Sequence, residues 1–326
     1  MFKVSPKMIS LLLGGALLLS ACSGGTKQET SNSAQADGAS AIGKPVVVSS
    51  KIDTEGTLLG NIILLTLEAN GIKTQDKLSL GGLPIVRKAL ISGEVDIVPE
   101  YTGNGAFMFS NGNEKSAEWK DLQNGYEKVK KLDYEANKLV WLTPAQANNT
   151  YALAVREDVA GPAHLKTMSD FGRWVANGGN VKMIASQEFT HLQGALPAFE
   201  LTYGFKMKPE QMVIVSGGDT ANTIKAASQQ TNGVNTAMVY GTDGAIEPSN
   251  LRVMEDDKGT QVIYAPAPVI REEVLKAHPE IEVLLKPVFN SLNNEVLRGL
   301  NAKVQVNGEP SKAVALEYLK SKGLIK

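Results

Sequence analysis

Cysteine is almost missing from this sequence: Cys22 is the one copy in 326 residues. No internal disulfide can form, so the fold must rest on packing. Histidine is nearly as scarce. His164, His191 and His278 lie far apart, without the spacing of a metal site. There is no GxSxG, no P-loop and no HExxH. Acid pairs such as Glu94 and Asp96 have no evident partner base. These gaps count against a hydrolase, a nucleotide-driven machine and a metalloenzyme. Charge of one sign is also lacking. With 33 basic and 34 acidic residues the net charge is −1, which offers no broad basic face to nucleic acid. Beyond the N-terminal segment, no apolar run reaches the ~20 residues of a membrane span.

What is present begins with a targeting pattern. Lys3 and Lys7 flank the short apolar core "ISLLLGGALLLS", which ends at "LSAC". Residues 1–21 resemble a bacterial lipoprotein signal, cleaved so that Cys22 carries lipid and anchors the chain to a membrane; an ordinary secretory signal with a chance cysteine is the alternative. Residues 22–44 hold Ser, Gly, Ala, Thr and Gln with almost nothing bulky. Such a linker has a reach of about 25 Å and suits a folded body held clear of a membrane surface. The expected location is the periplasm or cell surface.

From Pro45 onward, short β-branched runs alternate with amphipathic segments. Strands are expected at 46–50, 77–80 and 95–98, with helices at 57–71 and 84–90 between them. The order β-α-β-α-β implies an α/β fold with parallel strands. Further strands are expected at 150–156, 181–186, 212–217, 236–241, 251–255 and 262–270. Helices are expected near 168–176, 194–203, 219–230, 272–292 and 311–322. "SGGDT" (216–220) reads as a strand-to-helix turn, and Glu55 in "DTEG" as an acid that favours a helix start.

Ligands of open α/β sheets gather at the carboxyl ends of strands. Tyr101 follows the strand 95–98, Tyr240 closes 236–240, Tyr264 lies in "VIYAPAP" and Tyr151 opens "TYALAVR". The stretches "SKIDTEGTLLGNI", "LGGLPIVRKALISGEVDIVPEYTGNGAF", "LTPAQANNTYALAVR", "YGTDG" and "YAPAPVIR" together resemble the substrate-binding proteins of ABC importers for glycine betaine, carnitine and choline. The resemblance spans about residues 45–325. It implies a two-lobed periplasmic-binding-protein fold of type II, with lobe I at 45–150 and 242–326 and lobe II at 151–241. A hinge joins the lobes, and the chain crosses between them.

The resemblance also implies a cage of Tyr101, Tyr151, Tyr240 and Tyr264 around a quaternary ammonium ligand. A trimethylammonium group has no N–H to donate, so aromatic faces are its natural partners. The arginine that such proteins offer to a ligand carboxylate aligns with Leu192 here. His191, the backbone N–H groups of Gly81 and Gly82, and the hydroxyls of Thr150 and Thr242 are candidates to replace it, and Asn104, Asn148 and Asn149 are candidate polar contacts. The expected partners are the small cation and a permease–ATPase complex, with no cofactor, no nucleic acid and no enzymatic activity. A choline or carnitine binder, or a ligand-sensing lipoprotein of the same fold, are the alternatives, and a surface hydrolase is a remote one. Replacing Cys22 with Ser is expected to abolish fatty-acid labelling and to move the chain from the membrane fraction to the soluble one.

Overall fold

The computed structural model describes residues 43–109, 116–216 and 220–326. The expected leader, Cys22, nearly all of the linker and residues 217–219 of the Gly-rich turn lie outside them. Ten strands are described: β1 (Val46–Lys51), β2 (Thr74–Gly81), β3 (Ile97–Tyr101), β4 (Leu139–Trp141), β5 (Tyr151–Arg156), β6 (Met183–Ser186), β7 (Met212–Val215), β8 (Thr236–Tyr240), β9 (Leu251–Val253) and β10 (Pro266–Arg271). They form two five-stranded sheets, ordered β2-β1-β3-β10-β4 and β7-β6-β8-β5-β9. Each sheet defines one lobe. In each, the first three strands are parallel and the fourth runs antiparallel to its neighbours.

Lobe I is built around the helix Thr54–Ala69. Asp53 caps it by accepting a hydrogen bond from Gly56 N at 2.8 Å, and Gly71 ends it with a left-handed φ of 80°. The helix is apolar on nearly every side because it is covered on nearly every side. The sheet lies against it, as do the helices Glu280–Asn290, Asn294–Gln305 and Ser311–Ser321. Leu58, Leu59, Ile62 and Ile63 are fully buried, each contributing about 1.5–3 kcal/mol of apolar burial. The helix Leu122–Asn137 is held to the same lobe by a buried carboxylate, Asp133, which accepts from Arg87 and from Trp141 Nε1. Lobe II packs Phe171, Phe189, Phe199 and Phe205 into its own core.

Three differences from the sequence reading have plain causes. The long helix expected near 272–292 is two, Glu272–Ala277 and Glu280–Asn290, because Pro279 cannot continue the first. The strand expected at 262–270 begins only at Pro266, which leaves Tyr264 in the approach to it. Lobe II also extends past its expected boundary at 241. β9 pairs with β5, Met254 N donates to Leu153 O, and Glu255 N donates to Lys166 O. Residues 251–255 thus join the second sheet before the chain returns to lobe I, whereas Thr242 and Gly244 still hydrogen-bond to the helix Asn294–Gln305 of lobe I.

The outward crossing, residues 142–150, and the return crossing lie against each other. Asn149 N donates to Tyr264 O at 3.0 Å, and Asn148 Oδ1 accepts from Tyr264 N at 2.8 Å. The outward crossing also meets the end of β8, where Gly241 N donates to Thr150 O at 2.9 Å. A Cβ on Gly241 would lie 2.3 Å from Asn148 O. Gly241→Ala must push these backbones apart and is expected to cost about 1–3 kcal/mol, measured as a lower thermal unfolding midpoint.

Candidate functional site

Strand pairing brings two distant tyrosines together. Tyr151 at the start of β5 is in register with Tyr240 at the end of antiparallel β8. Their rings stack with centroids 5.1 Å apart and planes 28° apart. Phe189 supports Tyr151 from below at 5.3 Å. Tyr264 reaches the same place from the return crossing. Burial, then the neighbouring Tyr240 and Glu188, push its hydroxyl up to about 12. The Tyr151 and Tyr240 hydroxyls are also raised, chiefly by burial, and Glu188 adds to both. All three therefore stay neutral phenols through the physiological range.

Glu188 is exposed at the start of the helix Gln187–His191, and its Oε1 accepts from Tyr151 Oη at 3.3 Å. A cavity of about 360 Å³ opens beside these rings. Tyr151, Leu192 and Gln193 line it from lobe II, Lys120 from lobe I, and Gln261 and Tyr264 from the return crossing. A larger hollow of about 580 Å³ contains only Tyr151 of the four tyrosines and is edged by Glu157, Glu247, Arg252 and Arg298. The smaller, more apolar cavity is the better place for an organic cation.

Tyr101 sits deeper. It ends β3, pairs in register with Pro266, and is almost fully buried. It does not line the cavity of Tyr151 and Tyr264. Gly103 brings the two regions together, since a Cβ there would lie 2.8 Å from the Tyr264 ring. The Lys51 ammonium lies 4.0 Å from the Tyr101 ring centre and 3.2 Å from Glu100 Oε1. A cation already rests on this ring.

The Tyr101 hydroxyl leads to the least expected residue. It donates to Glu55 Oε1 at 2.7 Å, and Asn149 Nδ2 donates to the same oxygen at 3.1 Å. Asn301 Nδ2 donates to Glu55 Oε2 at 2.7 Å and to Thr242 O at 2.9 Å. The Thr242 hydroxyl also bonds to this carboxylate. Glu55 does stand in the first turn of its helix, but it is buried and joins β3, the outward crossing, the segment after β8 and the helix Asn294–Gln305. Burial pushes its carboxyl above the usual range, against hydrogen bonds from Thr242, Tyr101 and Asn301 that pull it down; the charge of Asp53 raises it further.

Not every residue singled out in the sequence converges here. Asn149 and Thr242 support the Glu55 network. Asn148 holds the crossing. Thr150 is buried, and its hydroxyl has no partner among the described residues. Asn104 donates to Glu100 Oε1 at 2.7 Å and lines a separate apolar groove on lobe I. His191 is exposed and stays with its own helix, Nδ1 lying 2.8 Å from Gln187 O. It does not line the cavity, whereas Leu192 and Gln193 do. Glu188 and Asn301 went unread, and Glu55 was read only as an acid at a helix start. The signal for Glu188 was its place in "SQEFTHLQG"; an exposed lysine such as Lys120 carried none.

Two lobes joined by paired crossings, with an aromatic cavity between them, define a solute-binding protein. Residues 44–321 match the family described as the substrate binding domain of ABC-type glycine betaine transport system, and the chain belongs to that family. It is 56% identical over 282 residues to the glycine betaine-binding protein YehZ of Escherichia coli, covering 86% of this chain and 92% of the relative. A glycine-betaine-binding protein of Pseudomonas aeruginosa is 32% identical, covering 85% and 88%. The solved structure of apo YehZ from Escherichia coli superposes with a TM-score of 0.79 and 56% identity, over 86% of this chain and 99% of that one. Proteins of this family are solute carriers of importers rather than enzymes. They work outside the cytoplasmic membrane, with a permease and an ATPase. Among the described residues no helix is long and apolar enough to cross a membrane.

Glu55 gives this site a pH signature. A buried carboxyl with a raised pKa stabilises the fold while protonated, and that contribution is lost as pH rises from the ordinary value of 4.5 through the raised one. Glu55→Gln, which cannot ionise, is expected to escape that loss. Its unfolding midpoint should gain on the wild type as pH rises through this window, as read by paired thermal melts; a constant difference would place the ionisation elsewhere.

Proposed function

We propose that this chain captures glycine betaine, or a closely related quaternary ammonium compound, between its lobes and delivers it to an ABC permease. The observation that carries this reading is that Tyr151, stacked on Tyr240, lines with Tyr264 a cavity shared by both lobes. A methylated ammonium cannot hydrogen-bond, but it is drawn to the negative face of an aromatic ring. Each face contributes about 0.5–2 kcal/mol once water is excluded, against the roughly 8 kcal/mol of a micromolar complex. Glu188 adds a negative charge to the same corner. Tyr101, expected as a fourth cage ring, lies deeper and off this cavity, its hydroxyl held by Glu55.

The crossings act as a hinge, and ligand stabilises the closed arrangement by touching both lobes at once. A lipid on Cys22 and the linker behind it hold the protein at the membrane, within reach of its permease. Relatives named for betaine binding support the ligand class.

Titration calorimetry with glycine betaine, carnitine, choline and glycine tests this. The methylated compounds should bind and glycine, which keeps its N–H groups, should not; equal binding of glycine and betaine would sink the cage. Changing Tyr151 and Tyr264 together to Ala should weaken binding by at least about tenfold, with the unfolding midpoint of the ligand-free protein little changed.

A further inference from the structure

We propose that Lys120 takes the ligand's carboxylate in place of the missing arginine, so that the site selects a zwitterionic betaine over choline. This rests on the ligand class proposed above. Leu192 stands where an arginine was expected, lines the cavity and can make no hydrogen bond with its side chain. Lys120 lines the same cavity from the opposite lobe. It is the one cationic side chain among the lining residues.

The backbone aims Lys120 at this place. Ile263 N donates to Trp119 O at 2.8 Å, so Lys120 and Tyr264 each follow one partner of a single hydrogen bond. Trp119 is buried and fixes that turn in lobe I. The nearby carboxylates are already engaged. Glu118 accepts from Lys128 at 2.5 Å and from Ser116 at 2.9 Å, and Asp121 caps the helix Leu122–Asn137. Lys51, the other lysine near the tyrosines, is paired with Glu100. Lys120 forms no ion pair among the described residues.

A second observation points the same way. Gln261 also lines the cavity and is 5% exposed, yet its Nε2 has no hydrogen-bond partner among the described residues. A buried N–H without an acceptor is uncommon in a settled structure. A carboxylate supplies an acceptor. The cavity therefore has two poles. Tyr151 and Tyr264, with Glu188 bonded to the Tyr151 hydroxyl, favour a positive group; Lys120 and the Gln261 amide favour a negative one. Choline meets the first pole and leaves the ammonium of Lys120 unpaired.

The carboxylate contact also comes from lobe I, whereas Tyr151, Tyr240 and Glu188 belong to lobe II. A zwitterion then spans the cleft, and closure depends on both of its charges.

Calorimetry with glycine betaine and choline on the wild type, Lys120→Gln and Lys120→Arg separates the possibilities. Lys120→Gln should lose betaine affinity by about tenfold or more, the scale of one charged hydrogen bond, and keep or improve its choline affinity. Lys120→Arg should restore betaine. Adding Leu192→Arg to Lys120→Gln should also recover betaine binding. If Lys120→Gln binds betaine like the wild type, or loses both ligands equally, the assignment is wrong. If the wild type binds neither compound, the ligand class falls and this assignment falls with it.

Discussion

A buried carboxylate, that of Glu55, ties together the parts of this molecule that must agree about its shape. Its two oxygens receive Tyr101 from a sheet, Asn149 from a crossing and Asn301 from a C-terminal helix. A charge taken out of water is costly unless donors surround it. Here the donors come from stretches that otherwise have little reason to stay in register. The Glu55 network holds the Tyr101 ring, and through Asn149 it holds the segment that carries the backbone of Tyr264. The crossings are thereby rigid where they leave lobe I.

The aromatic corner is organised differently. Tyr151 and Tyr240 are neighbours through strand register, so their stacking is a property of the β5–β8 ladder and needs no polar network. Tyr264 depends on the crossing, and on Gly103 leaving room for its ring. Backbone pairing thus positions two rings, and loop contacts position the third. Rings anchored before ligand arrives lose little freedom on binding.

The alternation of strands and helices made the α/β class legible, and Thr54–Ala69 stood out because a helix covered on all sides reads as nearly continuous apolar sequence. The helix Leu122–Asn137 was silent, since "LQNGYEKVKKLDYEAN" buries only Gly125, Tyr126, Val129 and Asp133. β10 was expected to start four residues early, at 262, with its prolines already inside the strand. Pro268 faces Pro99 across the β3–β10 pair, and two residues without N–H groups leave no ladder donor stranded between them, which a rule applied to one strand at a time cannot see. The strand at 251–255 was expected, but its pairing with β5 across the expected boundary at 241 is a long-range contact that a strand read alone does not show. At the site, the four tyrosines were suggested by family likeness, and no spacing in the chain announces that Tyr151 pairs with Tyr240 while Tyr101 lies deeper. Glu55 looked like an ordinary acid at a helix start, and only the tertiary fold puts four partners around it.

The position of β10 has a further consequence. It lies inside the lobe I sheet, between β3 and β4, yet it is made after the whole of lobe II. A chain emerging from the ribosome can complete the β5–β9 sheet while the first sheet still has a gap at its centre, with the apolar flanks of β3 and β4 unpaired. Lobe I is thus obliged to finish second, and a nascent chain stalled before residue 266 would present open strand edges to whatever chaperone or export machinery attends it.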